Sequence, residues 1–102
     1  MDAPGFQQAL RIDPDHPALP GHFPAQPLVP AVILLEQVAL ALRAWRGQRL
    51  AHVLEAKFVA PLRPDEAAVL RLSASATDRA RVRFEIERDG TLLARGVVEG
   101  AP

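Results

Sequence analysis

Cysteine is absent from the 102 residues, which removes disulfides, thiol nucleophiles and thiolate metal sites from consideration. An excess of either charge is also absent, because twelve Lys and Arg balance twelve Asp and Glu. Nucleic acid is therefore not an expected partner. No apolar run approaches the roughly 20 residues of a membrane helix; the strongest tract, 28–35, contains Pro30 and runs into Glu36 and Gln37. The opening MDAPGFQQAL lacks the basic and apolar regions of a signal peptide. These absences lead us to expect a soluble, cytoplasmic protein with no membrane partner.

What is present is a half-hydrophobic chain, 49% by composition, expected to form one domain over 1–102. At this size one core can close, but a lone chain buries only a modest share of its surface, which leaves room for an oligomer. Six prolines (14, 17, 20, 24, 27 and 30) and Gly21 crowd the stretch 13–30, a density that stiffens an extended loop and forbids regular structure. Pro30 suits the first turn of a helix, and residues 31–46 then run without a breaker to Gly47. That helix is apolar nearly all round, with Val32, Ile33, Leu34, Leu35, Val38, Leu40, Leu42 and Trp45, a pattern that predicts burial on every side.

Before the helix, 5–13 carries Phe6, Leu10 and Ile12 on one alternating face. After it, the period becomes two. The segments 51–60, 67–77, 81–89 and 91–99 read as strands. The clearest is 81–89, where Val82, Phe84 and Ile86 alternate with charged residues, as in a sheet with one solvated face. Asp89-Gly90 is a two-residue hairpin signal, while 61–66 and 77–80 supply the other turns. The fold class is α+β: an antiparallel sheet of about five strands curled around one long helix.

Two residues stand out chemically. Glu36 is an acid in an apolar helix, where burial would cost several kcal/mol, in order-of-magnitude terms, unless the group is protonated or partnered. His22 precedes it by fourteen residues, outside the helix. The pair is not an i, i+4 metal motif, and no metal site is expected. A histidine and a desolvated acid are instead the ingredients of general acid and base catalysis. The plain alternatives are a loop histidine that caps a turn and a glutamate that finds solvent.

The stretch DHPALPGHFPAQPLVPAVILLEQVA, residues 15–39, resembles the active-site segment of the FabA/FabZ-type 3-hydroxyacyl-ACP dehydratases. Gly21, His22, Phe23, Pro24, Pro27 and Pro30 match that family's loop, and Glu36 falls at its acid position. The segment 55–70 resembles the following strand, turn and strand. The short chain and its DHPALPGHFP variant look most like small stand-alone dehydratases, such as those of aryl polyene synthesis. The resemblance implies a hot-dog fold, no cofactor, and a substrate carried as a thioester on acyl carrier protein or CoA. It implies that His22 removes the C2 proton of a 3-hydroxyacyl thioester and Glu36 protonates the departing hydroxyl. Phe23, Pro30 and Ala31 would line the substrate, with the Ala31 N–H facing the thioester oxygen. It further implies a homodimer with sites at the interface. Basic candidates for carrier docking are Arg43, Arg46, Arg49, Lys57 and Arg63. Three positions depart from the pattern: Ala25 and Ala31 replace glycines, and Leu40 replaces a glutamine one turn after the acid. A thioesterase, or a non-catalytic acyl-binding subunit of the same fold, are the competing expectations.

Overall fold

A computed structural model describes residues 5–17 and 28–102. Five strands and one helix follow in the order β1 (Gly5–Leu10), α1 (Ala31–Arg46), β2 (Arg49–Phe58), β3 (Ala68–Ala74), β4 (Arg81–Arg88) and β5 (Thr91–Ala101). The strands form one antiparallel sheet ordered β1-β3-β4-β5-β2. All five expected strands and the helix are present. The first strand stops at Leu10, two residues before the last apolar position of its pattern. Ile12 nevertheless reaches the core from the following turn, buried at 2% exposure.

The helix begins where proline places it and ends where glycine allows. Pro30 is extended (φ −63°, ψ 151°), and Gly47 takes the left-handed conformation (φ 67°) while donating its N–H to the Arg43 carbonyl. Arg43 and Arg46 occupy the last turn, where cations favour the negative end of the helix dipole. Ile33, Leu34, Val38, Ala41 and Leu42 are buried, a single stripe at helical spacing that lies on the sheet.

Cross-strand rows supply the other side of the core. Leu70, Ile86 and Ala94 stand in one register, and Leu72, Phe84 and Gly96 in the next. Phe6 extends the second row on β1 and Ala56 on β2. Residues between these rows face outward; there Arg71 pairs with Glu87 and donates to the Gln7 side chain at 3.2 Å. The hairpin at Asp89 and Gly90 has positive φ at both positions (51° and 82°), the requirement of the turn its sequence predicts. Close by, a register shift in the β4–β5 pairing leaves Leu93 as an extra residue. Its carbonyl accepts from the Val59 and Ala60 N–H groups (2.8 and 3.2 Å), fastening the end of β2.

Gly96 is needed for packing rather than for its backbone angle. A Cβ there would strike the Glu55 carbonyl oxygen and approach the Phe84 ring to 2.5 Å. Gly96→Ala should therefore destabilise the fold by about 1–3 kcal/mol, the usual cost of overpacking, measurable as a lowered urea midpoint. An unchanged midpoint would show that β2 and Phe84 shift freely.

Candidate active site

Glu36 lies on the sixth residue of α1, roughly 8 Å along the axis from the helix start. It is not buried: its side chain is 56% exposed. The apolar neighbours one turn either side, Val32 and Leu40, are 67% and 56% exposed. This corrects the expectation of a helix covered all round. A single sheet can cover one side of a helix, and here it covers the stripe through Ile33, Val38 and Leu42. The stripe through Val32, Glu36 and Leu40 faces away from that sheet. The desolvation cost inferred for the acid is thus not incurred in the single chain.

Beside the carboxylate stands a residue that the sequence reading passed over. His16 Nε2 is 3.7 Å from Glu36 Oε1, and its side chain is 25% exposed. His16 belongs to a compact turn in which Asp13 Oδ1 accepts the Asp15 N–H (2.8 Å) and the Asp13 carbonyl accepts the His16 N–H (2.9 Å). The Asp13 side chain and flanking Pro14 and Pro17 are legible in sequence as a turn. Its meeting with α1 is a tertiary fact.

Pro30 and Ala31 form the helix entry as expected, and Ala31 is exposed. Ile33 and Leu34 direct their N–H groups at the Pro30 carbonyl (3.0 and 3.4 Å). The N–H groups of Ala31 and Val32 precede any possible helical acceptor, as at every helix start. Against this entry lies a cavity of about 210 Å³ lined by Val29, Ala31, Leu34, Phe58, Val59 and Leu62 among others. His22 and Phe23, and most of the proline-rich loop with Ala25, fall outside the described residues.

One turn holds both sides of this region. In 61–66, the Leu62 carbonyl accepts the Val29 N–H (2.8 Å) just before α1, and the Asp65 N–H donates to the Ile12 carbonyl (2.7 Å) ahead of the His16 turn. Asp65 has a positive φ of 69°, a conformation Asp tolerates better than most residues. Glu66 fixes the turn: its Oε1 accepts the Arg63 N–H (2.8 Å) and Arg88 Nη1 (3.0 Å), while Arg88 also reaches the Pro61 carbonyl (3.0 Å). The Arg63 backbone hydrogen bond, with the Arg88 charge beside it, holds the Glu66 carboxyl below its usual range despite an opposing desolvation.

Strand order, the one helix among the described residues lying on the sheet, and the open helix face define a hot-dog fold, and solved structures share it. The dehydratase heterocomplex ApeI:P from Xenorhabdus doucetiae matches with 21% identity, 100% coverage of both chains and a TM-score of 0.77. An uncharacterized protein from Erwinia carotovora subsp. atroseptica matches at 26% identity, over 96% of this chain and 83% of that one, with a TM-score of 0.79. A 1,4-dihydroxy-2-naphthoyl-CoA thioesterase from Synechocystis shares the fold at 16% identity, over 96% and 81% of the chains, with a TM-score of 0.71. No curated protein sequence matches the chain. The family model described as ApeI-like, ApeI dehydratase, matches residues 2–97. The chain belongs to this ApeI-like dehydratase family, the subgroup its loop variant resembles.

A carboxyl whose pKa is lowered on folding stabilises the fold above its unfolded value and loses that contribution as pH falls through its folded value. Glu66→Ala should thus lower the urea midpoint at neutral pH, and the gap from the wild type should close as the solution is acidified below the usual carboxylate range. A gap independent of pH would show that the carboxylate does not hold the turn.

Proposed function

We propose that this chain is a 3-hydroxyacyl thioester dehydratase acting on acyl carrier protein or CoA substrates, and that it works as a homodimer in the cytoplasm. The observation that carries the reading is the position of Glu36: a solvent-facing acid in the middle of an apolar helix stripe, close to the helix entry, in a chain of the ApeI-like family. Among the described residues, no helix is long and apolar enough to cross a membrane.

In this reading His22 takes a proton from C2 and the C2–H electrons move towards the thioester carbonyl. The Ala31 N–H, at the positive end of the helix dipole, donates to the oxygen that gains charge. The electrons then return to form the C2–C3 double bond as the C3–O bond breaks, and Glu36 gives its proton to the leaving hydroxyl. Water and a trans-2-enoyl thioester result; solvent exchange returns the proton from His22 to Glu36. In this reading Pro30 and Phe23 flank the thioester, and the acyl chain enters the cavity beside Ala31, where Val29, Leu34, Phe58 and Leu62 offer dispersion contacts along a hydrocarbon.

Homodimerisation accounts for surface a lone chain leaves open. Val32 and Leu40 are exposed on α1, and Val53, Leu54, Phe58 and Val59 on or just after β2. Among the described residues β2 is also a sheet edge, paired with β5 on one side only, and such an edge can accept a further strand. The pairing brings His22 of one protomer to Glu36 of the other. The ApeI:P structure is a heterocomplex, so a chain of different sequence is the alternative occupant.

Incubation with 3-hydroxyacyl thioesters should give enoyl thioesters with loss of water, followed by mass spectrometry. Glu36→Gln and His22→Ala should each reduce turnover about 10²- to 10⁴-fold, the scale of general acid and base catalysis. Near-normal turnover by either variant would sink the assignment, and release of free acid would point to a thioesterase. Sedimentation should give twice the chain mass. Mixing the two inactive variants should restore about a quarter of wild-type activity: random exchange makes half the dimers mixed, each with one intact shared site. No recovery after demonstrated exchange would place both groups in one chain or exclude the pairing.

A further inference from the structure

We propose that His16 is a positioning residue for Glu36, holding one carboxyl oxygen from within the same chain so that the other faces the substrate. The inference rests on the dehydratase reading of Glu36 and adds to it a residue with no role in that scheme. Its first support is proximity. His16 Nε2 lies 3.7 Å from Glu36 Oε1, with the histidine mostly covered and the acid open.

The second support is rigidity. His16 is held by the Asp13 hydrogen bonds to its own N–H and to that of Asp15, between two prolines whose rings fix φ. The turn is anchored at its start, where Ile12 is buried and its carbonyl accepts the Asp65 N–H at 2.7 Å. An imidazole on so constrained a backbone is a fixed reference point. A surface ion pair between two long, free side chains is worth little because both must be ordered, but here one partner is already placed.

The third support is what surrounds the acid on its own helix. Residues one turn before and after, Val32 and Leu40, carry no polar group, so neither can hold the carboxyl by a hydrogen bond. Leu40 is also where the dehydratase pattern described above has a glutamine. A donor from the His16 turn supplies, from outside the helix, an interaction that the leucine cannot make. At 3.7 Å the imidazole stands in ion-pair rather than hydrogen-bond range of Oε1; closing on that oxygen in the substrate complex, it limits the rotamers of Glu36 and leaves Oε2 to the departing hydroxyl. A group misplaced by about 1 Å can forfeit roughly 10²-fold in rate, so holding it is functionally significant. His16 touches the acid rather than the reacting carbons, which makes its role one of positioning.

Two measurements test this. With a 3-hydroxyacyl N-acetylcysteamine thioester, His16→Ala should lower kcat roughly 10- to 100-fold with little change in KM, the pattern of an interaction that matters in the transition state. His16→Gln keeps an N–H donor at similar reach and should recover most of the loss. Independently of turnover, Glu36→Gln should shift the imidazole ¹⁵N resonance of His16. The resonance of His52, 3.4 Å from Glu99, should stay in place as an internal control. An unmoved His16 signal, or wild-type kcat in His16→Ala, would overturn the proposal. If the His16 signal moves but the wild-type protein removes no water from the substrate, the contact stands and the dehydratase reading falls.

Discussion

The 61–66 turn is the constraint on which the candidate site depends. One carboxylate, Glu66, gathers the Arg63 N–H and the Arg88 guanidinium, and the shape it imposes projects two backbone groups in useful directions. The Leu62 carbonyl meets Val29 at the approach to α1, and the Asp65 N–H meets Ile12 at the approach to the His16 turn. Leu62 is itself buried at 1% exposure, so the turn is seated in the core as well as hydrogen-bonded. The placement of His16 against Glu36 is therefore set by a third segment remote in sequence from both. Arg88 ends β4, which ties this arrangement to the middle of the sheet.

The second constraint is the size of the chain. Five strands make one layer, and one layer covers one stripe of a helix. Val38 and Leu42 are fully covered while Val32 and Leu40 stand open on the opposite side, although nothing in residue type separates the two pairs. An apolar helix surface left facing water, like exposed Val53, Leu54, Phe58 and Val59 elsewhere, has a favourable free energy of burial available to it. Glu36 sits in the middle of that open surface. The location of the acid and the proposed pairing are thus linked.

The sequence made the architecture legible because its signals were local. Pro30 and Gly47 bracket α1, the alternation of Val82, Phe84 and Ile86 marks β4, and Asp89-Gly90 marks the hairpin. Each acts within a few residues through fixed φ, side-chain period or left-handed geometry. Exposure was less legible. An all-round apolar helix implies cover on all sides, but composition does not say whether the cover comes from the same chain. His16 was invisible for a similar reason. Its turn can be read from Asp13, Pro14 and Pro17, whereas its meeting with Glu36 depends on Ile12 reaching Asp65 across some fifty residues. His22 and Phe23 remain known only through the motif that contains them.

The open position of Glu36 also changes how its surroundings must be understood. In the single chain the carboxyl has access to water, so the apolar residues around it in sequence do not by themselves exclude solvent from it. Under the proposed pairing, the second protomer would cover Val32 and Leu40 and remove water from the acid between them. His16 stands beside the same carboxyl from within the chain, 3.7 Å away. Under the two proposals together, the chain would orient the acid and the assembly would exclude solvent from it.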